Sequence, residues 1–119
     1  MVWVHKMLGG DQGIGPEAAE SLLRSGAVLL DVREQTEWQA GHVPGALHVP
    51  LGELEGKLGA LPRGRQVVVI CRSGNRSARA TSLLVRSGFE AVNLSGGMLA
   101  WAAAGLPVEA KSARPGTVV

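Results

Sequence analysis

Short runs of consecutive apolar residues alternate along the chain with segments whose apolar positions recur every three or four residues. Continuous apolar runs are typical of strands buried on both faces, and the longer spacing is typical of amphipathic helices. The clearest runs, Ala27–Leu30 and Val67–Ile70, contain no alternating polar positions. We therefore expect an α/β fold in which these two segments are central strands of a mainly parallel sheet, with helices on both faces.

Weaker runs and the segments between them complete the predicted fold. Leu47–Val49, Ala91–Leu94 and, at an edge of the sheet, Val2–Val4 are predicted as further strands. Proline and glycine mark several helix ends, because proline fits the first helical turn and glycine fits the C-terminal cap. The predicted helices are Pro16–Ser25, Leu51–Leu61, Ser77–Ser87 and Gly97–Ala104.

The length and composition of the chain are those of one globular domain. Its 119 residues, 45% of them hydrophobic and 18% charged, suffice for one core but not for two. No apolar run approaches the roughly 20 residues that a bilayer-spanning helix needs. We expect a domain over residues 14–108, preceded by an N-terminal segment, 1–13, and followed by a loosely held tail, 109–119.

The charge pattern argues against nucleic acid as a partner. Nucleic-acid-binding domains combine a dense basic stripe with aromatic residues, whereas this chain has a formal net charge of +2, one Phe and no Tyr. The first residues lack the apolar stretch of a secretory leader. We therefore expect a cytoplasmic protein that binds neither nucleic acid nor a membrane.

Cys71 is the only cysteine of the chain, which excludes an intramolecular disulfide and a cysteine-based metal cage. A lone cysteine is either a buried apolar residue or a reactive thiol. Cys71 directly follows a predicted central strand, and a helix is predicted to begin six residues later. Ligands of open α/β sheets bind at the carboxyl ends of strands, where helix N-termini present backbone N–H groups to anions. The segment Cys71–Ser77 is therefore the candidate active-site loop.

The composition of this loop favours a reactive thiolate. Arg72 and Arg76 are expected to lower the pKa of the Cys71 thiol and to bind an anionic substrate. Gly74 allows the backbone to curl around an anion with a positive φ angle. The alternative is an ordinary polar loop beside a buried cysteine. The remaining loop residues, which offer groups that fix the turn and contact substrate, are Ser73, Asn75 and Ser77.

Five motifs follow one another along the chain: Leu29–Glu34, Glu37–Trp38, Gly41–Ala46, the Cys71 loop and Gly96–Trp101. Together they make residues 14–108 resemble a single-domain rhodanese. The resemblance implies a three-layer α/β/α domain and a thiosulfate sulfurtransferase activity. His5 and His48 are lone residues without metal-ligand spacing, so we expect neither a metal nor a cofactor. Cys71 would take a sulfane sulfur from a small anionic donor, become a persulfide and pass the sulfur to a thiol or to cyanide. Without a second cysteine, the acceptor must be an external thiol or a sulfur-acceptor protein.

Other functions and donors stay open alongside this interpretation. Cysteine phosphatases and arsenate reductases of similar fold carry an arginine six positions after the cysteine, where this chain has Ser77. A non-catalytic rhodanese module for docking or sulfur delivery would often lack the cysteine that this chain has. Polysulfide or glutathione persulfide could replace thiosulfate as the donor, whereas Arg72 argues against mercaptopyruvate.

Residues outside the loop are expected to support the site rather than to react. Asp31 and Arg33 follow a central strand, and the resemblance implies a structural charge pair, with an indirect contact to the site open to Asp31. His42 lies in a tight turn between glycines, where a histidine more often bonds the backbone than acts as a base. Glu37 occupies the region where some two-domain relatives carry a substrate-binding arginine, which argues against a donor contact from that segment.

Overall fold

The computed structural model describes residues 13–110 and 115–119, so the predicted strand at Val2–Val4 lies outside the described residues. Within them, four strands form one parallel sheet in the order β2-β1-β3-β4. The predicted α/β class with a parallel central sheet is confirmed. The strands are β1 (Val28–Asp31), β2 (Leu47–His48), β3 (Val67–Ile70) and β4 (Ala91–Asn93).

The helices lie between the strands, as expected for parallel connections. None of the helices in residues 13–110 or 115–119 is long and apolar enough to cross a lipid bilayer. In chain order the α-helices are α1 (Pro16–Arg24), α2 (Gln35–Ala40), α3 (Leu51–Leu54), α4 (Asn75–Arg86) and α5 (Gly97–Ala103), and a 3₁₀ helix covers Glu55–Ala60.

The helices of the structure differ from the predicted ones mainly in three places. The helix predicted over Leu51–Leu61 divides into α3 and the 3₁₀ helix, because its glycines are poor helix formers. Helix α2 was not predicted, since its six residues are too few to show an apolar stripe; a capping box between Glu34 and Glu37 begins it instead. Helix α4 begins at Asn75, two residues before the predicted start.

Helices cover both faces of the sheet and produce the expected three layers. Successive side chains of a strand point to opposite faces, so Val67 and Val69 pack with α3 and α4, whereas Val68 and Ile70 pack with α1 and α5. Cys71 continues this alternation beyond the end of β3 and lies in the core cluster of the α4 face. The register of a buried strand therefore determines which face the thiol occupies.

The described part of the C-terminal segment packs against the domain. The Thr117 amide donates to the Ala40 carbonyl at 2.9 Å, and Val118 packs against the core cluster of the α1 and α5 face. Residues 115–119 thus differ from the loosely held tail that their composition predicts, because backbone hydrogen bonds and an apolar side chain hold them. The sequence contains no local signal for this contact.

Candidate active site

The candidate loop connects β3 to α4 at the carboxyl end of the sheet. β3 ends at Ile70 and α4 begins at Asn75, so Cys71 is the first residue of the loop. Gly74 precedes the helix with a φ of 113°, in the left-handed region that favours glycine. A Cβ atom on Gly74 would lie 3.3 Å from the Gly96 amide nitrogen. Glycine at this position therefore closes the turn and lets the loop pack against the start of α5.

The N-terminus of α5 holds the loop carbonyls away from the thiol. The Met98 amide donates to the Cys71 carbonyl at 2.8 Å, and the Leu99 amide donates to the Arg72 carbonyl at 3.1 Å. This close approach requires glycine at position 97, because a Cβ atom there would overlap both carbonyl oxygens. With its carbonyls bonded to α5, the loop is free to direct its N–H groups toward the sulfur.

Three hydrogen bonds converge on the sulfur of Cys71. The Gly74 amide donates to Sγ at 3.1 Å and the Ser77 amide at 3.3 Å. The Ser77 hydroxyl donates to the same sulfur at 3.2 Å. Cys71 is only 1% exposed, so these donors replace water around the sulfur. A concentration of donors at one atom stabilises its anionic form.

The pKa of the Cys71 thiol lies below its ordinary value as the result of opposing effects. Burial is the largest single cause and raises the pKa. Hydrogen bonds from the Ser77 hydroxyl and from the Ser77, Gly74 and Ser73 amides lower it, and together they outweigh burial. The direction agrees with the sequence analysis. The main causes that lower the pKa are these hydrogen bonds, and not the charges of Arg72 and Arg76 that the sequence led us to expect.

Arg76 forms a two-point ion pair with Glu37, a residue of α2. Its Nη1 and Nη2 atoms lie 2.7 and 2.8 Å from the two carboxylate oxygens of Glu37. The hydrogen bond to Arg76 is the main reason that the pKa of Glu37 falls to about 2, against an opposing effect of burial and with help from the Glu34 amide. The sequence predicts that Arg76 is a cation available to substrate, but its charge is paired with Glu37.

The remaining loop side chains lie at the surface. Arg72 is exposed, and its Nε donates to the Val119 carbonyl at 2.9 Å. Ser73 and Asn75 are exposed as well, so their side chains face solvent beside the buried thiol. The structure thus divides the predicted loop residues into an inner set that surrounds the sulfur and an outer set at the surface.

Arg33 and Asp31 form a buried ion pair below α2. Both side chains are inaccessible to solvent, and Nη2 of Arg33 lies 2.8 Å from Oδ2 of Asp31. Arg33 also donates to the carbonyls of Gly41 and Glu37, at 2.7 and 3.3 Å. Arg33 therefore bonds α2 within the helix, at Glu37, and at its C-terminal cap, Gly41. This helix carries the carboxylate partner of Arg76.

His42 also contacts α2 rather than the thiol loop. Its Nδ1 lies 2.8 Å from the Trp38 carbonyl oxygen, and its ring stacks on the Trp38 indole with centroids 3.7 Å apart. His48 stacks near the same indole, at 4.7 Å. His42 thus makes a backbone contact of the kind that its turn predicts. A surface cavity of about 370 Å³ beside this stack is lined by Gln35, Trp38, Gln39 and His42.

Sequence reasoning missed several residues that shape the loop. Asn93 donates through Nδ2 to the Gly74 carbonyl at 3.1 Å, and no local pattern identifies it. Glu37 was noted only as an obstacle to donor binding, although its place in the Glu37–Trp38 motif was a signal. The glycine pair Gly96–Gly97 was a second signal, because adjacent glycines indicate a close backbone approach.

Replacing Ser77 with alanine should raise the pKa of Cys71 and slow attack by its thiolate about tenfold at neutral pH. The substitution removes a hydrogen bond to a charged sulfur, worth about 1.5–3 kcal/mol, and each 1.36 kcal/mol is one factor of ten. Because Cys71 in the folded variant then binds a proton more tightly, its thiolate should become protonated at a higher pH, as the pH is lowered, than in the unchanged protein. Ultraviolet absorbance reports this titration cleanly, since the chain has one Cys and no Tyr.

Ser73→Ala is the matched control, because the Ser73 side chain is exposed and its contribution to the thiol comes from the backbone amide. The control should titrate like the unchanged protein. Equal titration curves for the Ser77 and Ser73 variants would contradict the role assigned to the Ser77 hydroxyl.

The chain is similar to known proteins in sequence and in fold. The chain is 42% identical over 73 residues to the putative sulfurtransferase YtwF of Bacillus subtilis, covering 61% of this chain and 71% of that protein. It is 39% identical to the thiosulfate sulfurtransferase GlpE of Pseudomonas fluorescens, covering 74% and 82%. The crystal structure of a rhodanese-related protein from Thermoplasma volcanium superposes with a TM-score of 0.76 at 33% identity, covering 81% and 95%. The family model of the rhodanese-like domain matches residues 15–104, and this chain therefore belongs to the rhodanese-like domain family.

Proposed function

We propose that this protein is a sulfurtransferase that moves a sulfane sulfur from thiosulfate or a related donor, through a persulfide on Cys71, to an external thiol. The observation that carries the proposal is the convergence of three hydrogen-bond donors on the Cys71 sulfur. The names of the relatives support the reaction class, and that of GlpE supports thiosulfate as a donor.

In the first step the Cys71 thiolate attacks the outer sulfur of thiosulfate. A bond forms between the two sulfurs, the sulfur–sulfur bond of the donor breaks, and sulfite leaves with its electron pair. The three negative charges of the reactants remain as one on the persulfide and two on sulfite. In the second step an acceptor thiolate attacks the outer sulfur of the persulfide, which releases Cys71 as a thiolate and the acceptor as a persulfide.

The donors around the sulfur serve both steps. Preorganised N–H and O–H groups stabilise an anion without reorganising during the reaction, and the persulfide is an anion like the thiolate that forms it. The exposed side chains of Arg72, Ser73 and Asn75 are the groups that a donor would meet first from solvent. We assign initial donor binding to these three residues and stabilisation of the sulfur anion to Gly74 and Ser77.

The acceptor is external, because Cys71 is the only cysteine and cannot form an internal disulfide. A small thiol or a cysteine of a partner protein can attack the persulfide. A reducing compartment keeps a lone thiol available for this chemistry, and we propose the cytoplasm as that compartment.

Intact-mass spectrometry of the purified protein tests the persulfide directly. After incubation with thiosulfate we expect the mass to increase by one sulfur atom, the added sulfur to map to Cys71, and cyanide to remove it. A protein that gains no sulfur from thiosulfate or from polysulfide would refute the proposed reaction. That result would favour a rhodanese module that docks to other proteins without transferring sulfur.

A further inference from the structure

Glu37 is held in one position by contacts to its main chain and its side chain. Its carboxylate bonds both terminal nitrogens of Arg76 and accepts a hydrogen bond from the Glu34 amide at 2.9 Å. Its carbonyl accepts a hydrogen bond from the buried Arg33 at 3.3 Å. The side chains of Glu37 and Arg76 are only 16% and 28% exposed. Glu37 is therefore a fixed negative charge beside the thiol loop.

Arg76 interacts with the thiol as well as with Glu37. Hydrogen bonding to Glu37 is the main cause that raises the pKa of Arg76, against an opposing effect of burial, and the negative charges of Cys71 and Glu34 raise it further. The thiolate, the guanidinium and the carboxylate together carry a net charge of one negative unit. If Glu37 carried no charge, this sum would be zero, because the positive charge of Arg76 would balance the negative charge of the thiolate.

We propose that Glu37 determines the charge class of the sulfur donor, so that dianions such as thiosulfate are disfavoured relative to sulfane donors with one negative charge or none. This inference rests on the proposed function. A hydropersulfide, which carries one negative charge at its reactive end when ionised, belongs to the favoured class. Arg76 then serves to position Glu37 and to offset the thiolate.

Replacing Glu37 with Gln should speed the reaction of a dianionic donor more than that of a monoanionic donor. The Coulomb energy between Glu37 and a donor is proportional to the charge of the donor. Removing the Glu37 charge should therefore raise the rate constant of a dianion by the square of the factor by which it raises that of a monoanion. We expect the rate constant for persulfide formation at low donor concentration to rise about threefold for a monoanion and about tenfold for a dianion. Glutamine matches glutamate in shape, and its oxygen can still accept from Arg76 and from the Glu34 amide.

Thiosulfate and methanethiosulfonate are a suitable pair of donors. Both deliver one outer sulfur to the Cys71 thiolate as the sulfur–sulfur bond breaks, and they differ in charge because a methyl group replaces one anionic oxygen. Sulfite leaves from the first donor and methanesulfinate from the second, each with the bonding electron pair. The ratio of the two rate constants is independent of the fraction of folded protein, because both donors sample the same active molecules.

The experiment measures this ratio by intact mass at low ionic strength for the unchanged protein and three variants. We expect Glu37→Gln to raise the thiosulfate-to-methanethiosulfonate ratio about threefold. Glu37→Asp keeps the charge and should leave the ratio unchanged. Glu20→Gln, the control, removes the same charge from an exposed pair with Arg24 on α1 and should also leave it unchanged.

The possible results distinguish failure of the role proposed for Glu37 from failure of the proposed sulfurtransferase function. If both donors load sulfur onto Cys71 but Glu37→Gln changes their rates by the same factor, the inference is wrong and the sulfurtransferase proposal stands. An equal shift in the ratio for Glu37→Asp would likewise overturn it, because the shape of the side chain would then matter instead of its charge. If neither donor forms a persulfide on the unchanged protein, the proposed function itself fails.

Discussion

Replacing Cys71 with serine is expected to lower sulfur transfer by at least about a thousandfold while leaving the fold intact. The loss is large because the sulfur is both the nucleophile and the carrier, and removing a nucleophile removes most of the catalysed rate. The fold should persist because a serine oxygen can still accept hydrogen bonds from the Gly74 and Ser77 amides that now bond Sγ. The release of sulfite from thiosulfate, in the presence of cyanide, measures the activity.

A thermal unfolding scan of the same preparation provides the control for folding. The expected result is an inactive protein with an unfolding midpoint close to that of the unchanged chain. Retained transfer activity in Cys71→Ser would exclude Cys71 as the sulfur carrier, since no other cysteine exists to replace it. Lost activity together with lost folding would leave the intact-mass experiment as the deciding one.

Replacing Arg33 with alanine should lower the free energy of unfolding by about 3–5 kcal/mol. Removing one partner of a buried pair leaves an uncompensated charge in the interior, and both side chains of this pair are fully buried. The substitution also leaves the carbonyl of Gly41 without its Arg33 donor. Urea unfolding followed by circular dichroism gives the free energy.

Two further variants show whether burial of the unpaired charge causes the loss. In Asp31→Leu/Arg33→Met both charges are absent, so part of the lost stability should return. Arg24→Ala removes an arginine from an exposed pair with Glu20, 71% and 36% exposed, and should change stability little. If Arg33→Ala were no more destabilising than Arg24→Ala, the buried pair would not be a main support of the fold.

Loss of Arg33 should also disturb the active-site loop through α2. Arg33 bonds this helix at Glu37 and at its C-terminal cap, and the helix carries the carboxylate that pairs with Arg76. The Asp31–Arg33 pair that the sequence motif contains therefore stabilises the position of a charge at the thiol loop. Under the proposed role of Glu37, we expect stability and donor preference to be coupled through this one helix.

The sequence was sufficient to predict the central strands and the position of the candidate nucleophile directly after one of them. Ala27–Leu30 and Val67–Ile70 are continuous apolar runs, and a strand buried on both faces requires such a run. The position of Cys71 between a strand and a helix depends on connections only a few residues long. Strands and loops of this kind can be predicted from a single sequence, because they depend on residues that are close together in the chain.

Features that depend on contacts between distant segments were not visible. Helix α2 is too short for a periodic pattern, and the contact of Thr117 with Ala40 joins segments that no local signal connects. The composition of the Cys71 loop indicated a thiolate, but it did not show that the Ser77 hydroxyl bonds the sulfur. That contact depends on where the first turn of α4 begins.

The sequence by itself determined the fold class, because that follows from local pattern. Its count of cysteines makes Cys71 the candidate nucleophile and an external group the proposed acceptor. Only the tertiary structure decided the electrostatics of the site. Arg76 and Glu37 lie 39 positions apart in the chain, and they meet because β1 and β3 are neighbours in the sheet. Strand order brings the two charges together, so a cation that the sequence offers to a substrate is neutralised by a carboxylate of this same chain.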